Sequence, residues 1–138
     1  MTHVEPIGPL VTELRSASAV TALVASRIWG QEKRDISPCV VVRQLDYRPA
    51  ISAPRSGVRD LQVALMCYGT KDPTGDILAL QVAGAVGEWI DQRGPRRSAT
   101  GVAFYRSSEQ TTGPVLRDPD TDEPFVIVTA TVKVFGKG

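Results

Sequence analysis

The sequence predicts an α+β fold in a single domain covering residues 1–138: a four-stranded, mainly antiparallel sheet with helices packed on one face, in the order ααββαββ. Two observations lead to this prediction. Apolar residues recur with helical spacing near the start of the chain and again in residues 76–92. Residues 39–46, 58–68, 101–108 and 124–135 instead alternate with a period of two, which is typical of strands.

The composition is that of an ordinary globular protein. Hydrophobic residues make up 42% and charged residues 22%, and 16 basic residues nearly balance 15 acidic ones. This argues against disorder and against a protein that holds nucleic acid by non-specific charge. We find no secretory signal and no apolar run long enough for a membrane span, so we expect a cytoplasmic protein without membrane contact.

Two short helices are predicted first. Ile7, Leu10, Val11 and Leu14 recur on one helical face. Ser18 is a candidate N-cap for a second helix, whose apolar residues are Val20, Leu23 and Val24. A brief extended piece, residues 27–30, and a polar loop closed by Pro38 follow.

The next two strands are predicted to form a hairpin with a long loop. Residues 39–46 begin with apolar side chains at consecutive positions, so this end of the strand is expected to be buried on both faces. Residues 47–57 contain two prolines, two serines and a glycine, which is typical of an irregular loop. Alternation resumes over residues 58–68.

Residues 76–92 form the clearest predicted helix, ended by Gly94-Pro95. Its buried face is expected to hold Leu78, Val82, Ala85, Val86 and Trp89. Gly84 and Gly87 fall on the opposite side, together with Asp76, Leu80, Glu88 and Asp91. Two glycines there would let another backbone approach, so they are candidates for a subunit contact; the alternative is that the core simply tolerates them.

The last third is predicted as two strands separated by a long polar loop. Residues 101–108 form the first strand and 111–123 the loop. Residues 124–135 form the longest strand, with one uninterrupted apolar face made of Val126, Val128, Ala130, Val132 and Val134.

An acidic run lies in that loop: Asp118, Asp120, Asp122 and Glu123. Aspartates at alternate positions resemble the start of an EF-hand calcium loop, but the sixth position is Glu123 instead of Gly and the twelfth is Thr129 instead of Glu. We therefore interpret the run as a solvated acidic hairpin loop and predict no metal site. A weak, adventitious cation site is the alternative.

Arginine outnumbers lysine by 12 to 4. The arginines gather in two places: Arg48, Arg55 and Arg59 beside the first hairpin loop, and Arg93, Arg96 and Arg97 after the long helix. Guanidinium groups suit bidentate contacts with carboxylates at interfaces as well as with phosphates. An RNA-binding sheet would expose aromatic residues, and here only Phe104 or Tyr105 could stack on a base. Salt bridges between subunits or to a partner are therefore preferred to nucleic-acid binding, and for any single arginine a solvated charge is preferred to both.

No enzyme motif is found, so a binding or assembly role without catalysis and without a cofactor is expected. The phosphate-binding and nucleophile-elbow patterns GxxxxGK[ST], GxGxxG and GxSxG are missing from the sequence. The single histidine, His3, lies in the terminus. Cys39 and Cys67 match no zinc spacing and are expected to be buried in strands as small hydrophobes.

The segment IGPLVTELRSASAVTALVASRIWG, a polar loop and SPCVVVRQL resemble the tail terminator, or tail completion, proteins of long-tailed bacteriophages. Residues 25–29 match the short piece that ends the helical start in that family, and Pro38 opens the first strand as it does there. The resemblance covers about Ile7 to Phe135. Cys39 departs from it, since the family often has an aromatic residue after the proline, and the 111–123 loop is enlarged.

The resemblance implies a structural virion protein: a homo-oligomeric ring, commonly a hexamer, that caps the head-proximal end of the tail tube, stops tube growth and joins tail to head. Its partners would be further copies of itself, the tail tube protein and the head connector or completion protein, with DNA only in transit through the lumen. Its location would be the virion, after assembly in the host cytoplasm. A head-completion or connector protein and a small nucleic-acid-binding domain remain alternatives.

Candidate interface residues follow from the loops and the helix. The loops would project from a ring, so the opposite charges of the two hairpin loops could meet across subunits or on partners. The candidates are Arg48, Arg55, Arg59, Gly84, Gly87, Asp118, Asp120, Asp122 and Glu123.

Overall fold

A computed structural model describes residues 5–33, 36–49, 58–91, 96–97 and 102–136 of the chain. The helices are α1 (Ile7–Leu14), α2 (Ser18–Val24) and α3 (Gly75–Asp91). The strands are β1 (Ile28–Gly30), β2 (Cys39–Pro49), β3 (Arg59–Tyr68), β4 (Arg96–Arg97), β5 (Val102–Arg117) and β6 (Pro124–Gly136).

The sheet has six strands in the order β1-β2-β3-β6-β5-β4, so the predicted four-stranded sheet is wrong in its strand count. The four predicted strands form its centre, and all their pairings are antiparallel. The two additional strands are short edge strands of three and two residues. Runs this short carry no periodic pattern, and only pairing with a neighbour makes them strands.

One face of the sheet packs against all three helices, as predicted. The apolar residues of α1 expected on its inner face, Ile7, Leu10, Val11 and Leu14, are all buried there. They join the inward side chains of β2, β3 and β6 in one continuous core. The expected capping of α2 by Ser18 is wrong, because Ser18 is the first helical residue and Ala17 is the N-cap, without a side-chain hydrogen bond.

The opposite face carries a second, smaller apolar cluster at one end of the sheet. Cys39, Val41, Tyr68 and Phe125 are buried there, and Trp29, Met66 and Ile127 pack partly against them. The neighbours Val40 and Val42 belong to the core under the helices. The prediction that the start of β2 is buried on both faces is therefore confirmed.

The prediction of a loop over residues 111–123 is wrong in its first half, because β5 continues to Arg117. Thr111 pairs with Thr129 and Val115 with Val126, and the connection to β6 is only residues 118–123. The register of β5 against β6 shifts three times between Tyr105 and Val115. Each shift reverses the inward and outward positions, which hides the period of two in the sequence.

Helix α3 buries Ala79, Val82, Ala83, Val86, Trp89 and Ile90, while Leu78 and Ala85 are only half-buried. The placement of Gly87 on the outward side is wrong. Gly87 is buried, and a Cβ atom there would lie 2.6 Å from the side-chain nitrogen Nε2 of Gln110 on β5. Gly84 does face outward, and a Cβ atom there would meet nothing within 4 Å.

The start of α3 is held close to the end of β3. A Cβ atom on Gly69 would overlap the carbonyl oxygen of Gly75, and one on Gly75 would overlap the carbonyl oxygen of Thr70. Only glycine permits this backbone approach. It positions the start of α3 beside the loop that joins β5 to β6, where Arg117 and Asp76 form an ion pair of 3.3 Å.

Candidate assembly interface

The basic candidates Arg48 and Arg59 lie at the end of the sheet where β2 leads into β3. The guanidinium of Arg59 stacks over Tyr47, 4.6 Å from the ring centroid, and donates a hydrogen bond of 3.1 Å to the Tyr47 carbonyl oxygen. Arg48 lies 3.6 Å from Asp46, and about half of each side chain is exposed. Arg55 and Arg93 lie outside the described residues, and Arg96 and Arg97 form β4.

The outer edge of β2 beyond Val42 is not paired to β1, whose register ends there. This edge is occupied in part by the chain's own side chains. The Tyr47 amide donates to the Asp46 carboxylate at 2.8 Å, and the Tyr47 carbonyl accepts from Arg59. The β2–β3 register shifts between Gln44 and Asp46, which leaves Leu45 as a bulge residue 60% exposed. Bulges and charged groups of this kind oppose the addition of another strand.

The acidic loop between β5 and β6 is ordered by its own first aspartate. The Asp118 carboxylate accepts hydrogen bonds from the backbone amides of Asp120 at 2.8 Å and Thr121 at 3.3 Å. Asp122 has a φ of 59°, and its carbonyl accepts a hydrogen bond of 3.0 Å from Arg117. Asp120 and Asp122 are exposed, so two of the four predicted acids face solvent.

The other two acids make contacts within the chain. Glu123 is buried and lies 3.3 Å from the Lys33 ammonium. Asp118 accepts a hydrogen bond of 3.4 Å from the Tyr68 hydroxyl. Lys33 also lies 5.9 Å from the centroid of the Tyr68 ring. Lys33 and Tyr68 were not singled out from the sequence, because nothing in the spacing of residues 33, 68 and 123 connects them.

Titration of these groups follows from their surroundings. Burial alone would raise the pKa of Glu123, but the Ser37 and Thr121 side chains and the Lys33 ammonium outweigh it and hold that pKa below its usual value. Burial, followed by the Asp118 charge, raises the pKa of Tyr68 to about 12. Glu123 is therefore an ionised group that fastens the acidic loop to the segment before β2.

The basic and acidic regions lie at opposite ends of the sheet. Arg59 begins β3 and pairs with Val134, whereas Tyr68 ends β3 and pairs with Phe125 beside the acidic loop. β3 is ten residues long, so its two ends lie roughly 30 Å apart at about 3.3 Å per residue. Arg48 and Arg59 are therefore too far from Asp120 and Asp122 to contact them within one chain.

The helical layer has an exposed apolar surface of its own. Ile77 and Leu80 on α3 are 60% and 48% exposed, and Gly84 continues the same side of the helix. Next to this surface lies a groove of about 440 Å³ between the α1–α2 connection and the second half of α3. Its lining includes two carboxylates, Glu13 and Glu88.

Both thiols and one of the two base-stacking candidates are buried. Cys39 and Cys67 are buried and free, as predicted, and burial raises the pKa of Cys39 to about 11 and that of Cys67 further. Phe104, a candidate for base stacking, lies in the core, and the side chain of the other candidate, Tyr105, lies outside the described part of the chain. Among the described residues, no three His, Cys, Asp or Glu side chains are placed to hold a metal ion.

Within the same part of the chain, no helix has the length and apolar character needed to cross a membrane.

No protein-family model and no curated protein sequence matches the chain. Solved structures do share its fold. One chain aligns over 99% of both molecules with a TM-score of 0.58 and 15% identity. A chain of a structure described as the virion of a native gene transfer agent particle aligns over 94% of this chain and 93% of its own length, with a TM-score of 0.53 and 17% identity. At these identities the likeness shows a common fold, which spans nearly the whole of each chain.

Proposed function

We propose that this chain is a structural virion protein of the tail terminator type. It assembles without catalysis into a homo-oligomeric ring, a hexamer if it follows the family it resembles, at the head-proximal end of a tail tube. The observation that carries the proposal is the fold shared with a chain of a gene transfer agent virion over 94% and 93% of the two lengths. The sequence resemblance from Ile7 to Phe135 points to the same class of protein.

The placement of the charges supports head-to-tail association. A ring needs a heterologous interface, in which two different surfaces of the same subunit meet and the rotation closes. The basic end carries Arg48 and Arg59, and the acidic end carries Asp120 and Asp122. Surfaces of opposite charge that cannot neutralise each other within one chain are available to another chain or to the tube and head proteins.

The net charge of +1 also suits this role, because DNA passing through the ring must not be held. Phe104, one of the two residues considered for base stacking, is buried and cannot stack on a base. A head connector of similar size remains the nearest alternative. It differs from a terminator in the partner that it binds.

Assembly is tested directly with the purified chain. We expect native mass spectrometry to show a closed oligomer, alone or after addition of tail tube protein, and negative-stain images to show rings with an axial channel. In tail assembly reactions, omission of the chain should give tubes of uncontrolled length that do not join heads. A chain that stays monomeric at high concentration and in the presence of tubes contradicts the proposal. Binding to isolated heads but not to tubes favours the connector.

The acidic loop gives a second test. Asp120→Lys with Asp122→Asn should leave the fold intact, because both side chains are exposed and asparagine tolerates the positive φ of residue 122, yet reduce tail completion. Glu32→Lys is the control, since it reverses an exposed charge outside the loop. If the loop variant completes tails as well as the control does, the two carboxylates are merely solvated.

A further inference from the structure

We propose that the groove between the α1–α2 connection and α3 binds the bulged segment 43–48 of β2 from a second copy of this chain. This inference deepens the proposed ring, on which it rests: it assigns the β2 segment with Arg48 to the groove of a neighbouring copy and leaves Asp120 and Asp122 to the tube and head proteins. It rests on the shape and charge of the groove, on the exposed apolar side chains beside it, and on matching features of β2.

The groove is concave and acidic. It has a volume of about 440 Å³, and most of its lining residues have small side chains, namely residues 16–19 and Ala85. The charged residues in its lining are Glu13 and Glu88. A groove lined by small side chains and two carboxylates favours an arginine or lysine side chain.

An apolar strip leads into the groove along α3. Ile77, Leu80, Gly84 and Glu88 are spaced by three or four residues, so they lie along one side of the helix. Ile77 and Leu80 are exposed, and the space over Gly84 is open. The partner must therefore present an apolar side chain close to its basic ones.

Segment 43–48 of β2 has this combination. Leu45 is 60% exposed at the bulge, and Arg43 and Arg48 are exposed on either side of it in sequence. Arg48 keeps a weak contact of 3.6 Å with Asp46, which a stronger carboxylate partner can replace. Leu45, Ile77 and Leu80 are three of the five large hydrophobic side chains exposed in the described part of the chain.

The two surfaces lie on different parts of the molecule, one on the helical layer and one on the edge of the sheet. Their contact is therefore heterologous: each copy gives its β2 segment to one neighbour and its groove to the other, as a ring requires. The backbone contacts around Tyr47 oppose strand addition at this edge, so the contact is made by side chains.

The decisive experiment mixes two charge-reversed variants. One carries Glu13→Arg and Glu88→Arg in the groove, and the other carries Arg43→Glu and Arg48→Glu on β2. Each alone places like charges in its own interface, so each should associate at least about tenfold more weakly than the unmodified chain. The equimolar mixture restores opposite charges at every contact, so it should recover the oligomer in analytical ultracentrifugation. Circular dichroism confirms that both variants are folded.

A disulfide trap separates this inference from the proposed ring. Leu45→Cys in one copy and Gly84→Cys in another should form a mixed disulfide in excess of either homodimer, while the buried Cys39 and Cys67 stay reduced. Leu116→Cys, at another exposed position, is the matched control against Gly84→Cys. A mixed disulfide without rings would contradict the proposed ring and support the contact between the groove and the β2 segment. If rings form but the mixed charge-reversed variants do not recover the oligomer, and the disulfide between residues 45 and 84 is not preferred, the contact is contradicted and the ring is supported.

Discussion

The ammonium of Lys33 lies 3.3 Å from the carboxylate of Glu123. Glu123 precedes β6, and Lys33 belongs to the segment that leads into β2. The ion pair therefore joins two parts of the chain that are ninety residues apart and covers the small apolar cluster around Tyr68 and Phe125. Because only 9% of the Glu123 side chain and 23% of the Lys33 side chain are exposed, water screens the pair less than it screens the more exposed pairs Arg48–Asp46 and Arg117–Asp76.

Removal of one partner of this pair should be costly. Lys33→Met leaves the Glu123 carboxylate buried without its ammonium, and we expect the free energy of unfolding to fall by about 1–3 kcal/mol. Arg48→Met removes a charge from a half-exposed pair and should cost less than about 1 kcal/mol. Urea denaturation of the two variants measures both values. Equal losses would mean that the burial of Glu123 adds nothing to the strength of its pair.

The same carboxylate predicts the direction of the pH dependence. The pKa of Glu123 is lower in the folded protein than its ordinary value of 4.5, so its ionised form stabilises the fold above that value. This contribution is lost as the pH falls through the folded pKa. Glu123→Gln should therefore lose less stability than the unmodified chain between about pH 6 and pH 3. If Glu123→Gln loses as much stability between these two pH values as the unmodified chain does, the acid sensitivity comes from other groups. Asp72 is one such group, because the Thr74 and Thr70 side chains lower its pKa.

The two glycines of α3 should respond differently to alanine. Gly84→Ala adds a methyl group in open space and removes a flexible residue from a helix, so it should stabilise the fold by about 1 kcal/mol. Gly87→Ala brings its methyl group to 2.6 Å from the Gln110 amide, which must move, so its gain should be smaller. Thermal unfolding of both variants and of Gly87→Ala with Gln110→Ala checks this. The contact between residue 87 and Gln110 would be contradicted if Gly84→Ala and Gly87→Ala changed the stability equally. It would also be contradicted if Gln110→Ala did not increase the stability of the Gly87→Ala variant.

The thiols should be unreactive in the folded protein. Burial raises the pKa of Cys39 from 9.0 to about 11, which lowers its thiolate fraction near pH 8 by roughly 100-fold. Cys67 is more deeply buried, and its pKa is raised further. A chromogenic disulfide reagent at pH 8 should therefore detect two thiols only after urea is added. Fast reaction of one thiol in the native protein would show that the β2 end of the sheet opens.

Much of the fold was predictable because strong periodic patterns report burial directly. The inner face of α1, the apolar face of β6 from Val126 to Val134 and the double burial at the start of β2 were all predicted correctly. The errors arose where a pattern was short or interrupted. β1 and β4 have too few residues to show a period, and the register shifts of β5 made a strand of residues 111–117 look like a loop.

The candidate interface was predictable only in part. The sequence showed that arginines and acids are segregated along the chain, but not that Asp118 and Glu123 are used within the chain whereas Asp120 and Asp122 face solvent. It also gave no sign of the groove, which forms between elements that are distant in sequence. Nor did it indicate the exposed Leu45, whose exposure results from a bulge.

The sequence by itself determined the type of the main elements, their order and the sites of opposite charge, since these depend on local periodicity and composition. The tertiary structure alone decided where those sites lie relative to one another. The antiparallel path of β3 and β6 places the basic and acidic ends roughly 30 Å apart. The packing of α2 against α3 leaves an acidic groove between the α1–α2 connection and α3. Distances between residues far apart in the chain are set by strand pairing and helix packing, and these place opposite charges on different surfaces of a nearly neutral domain.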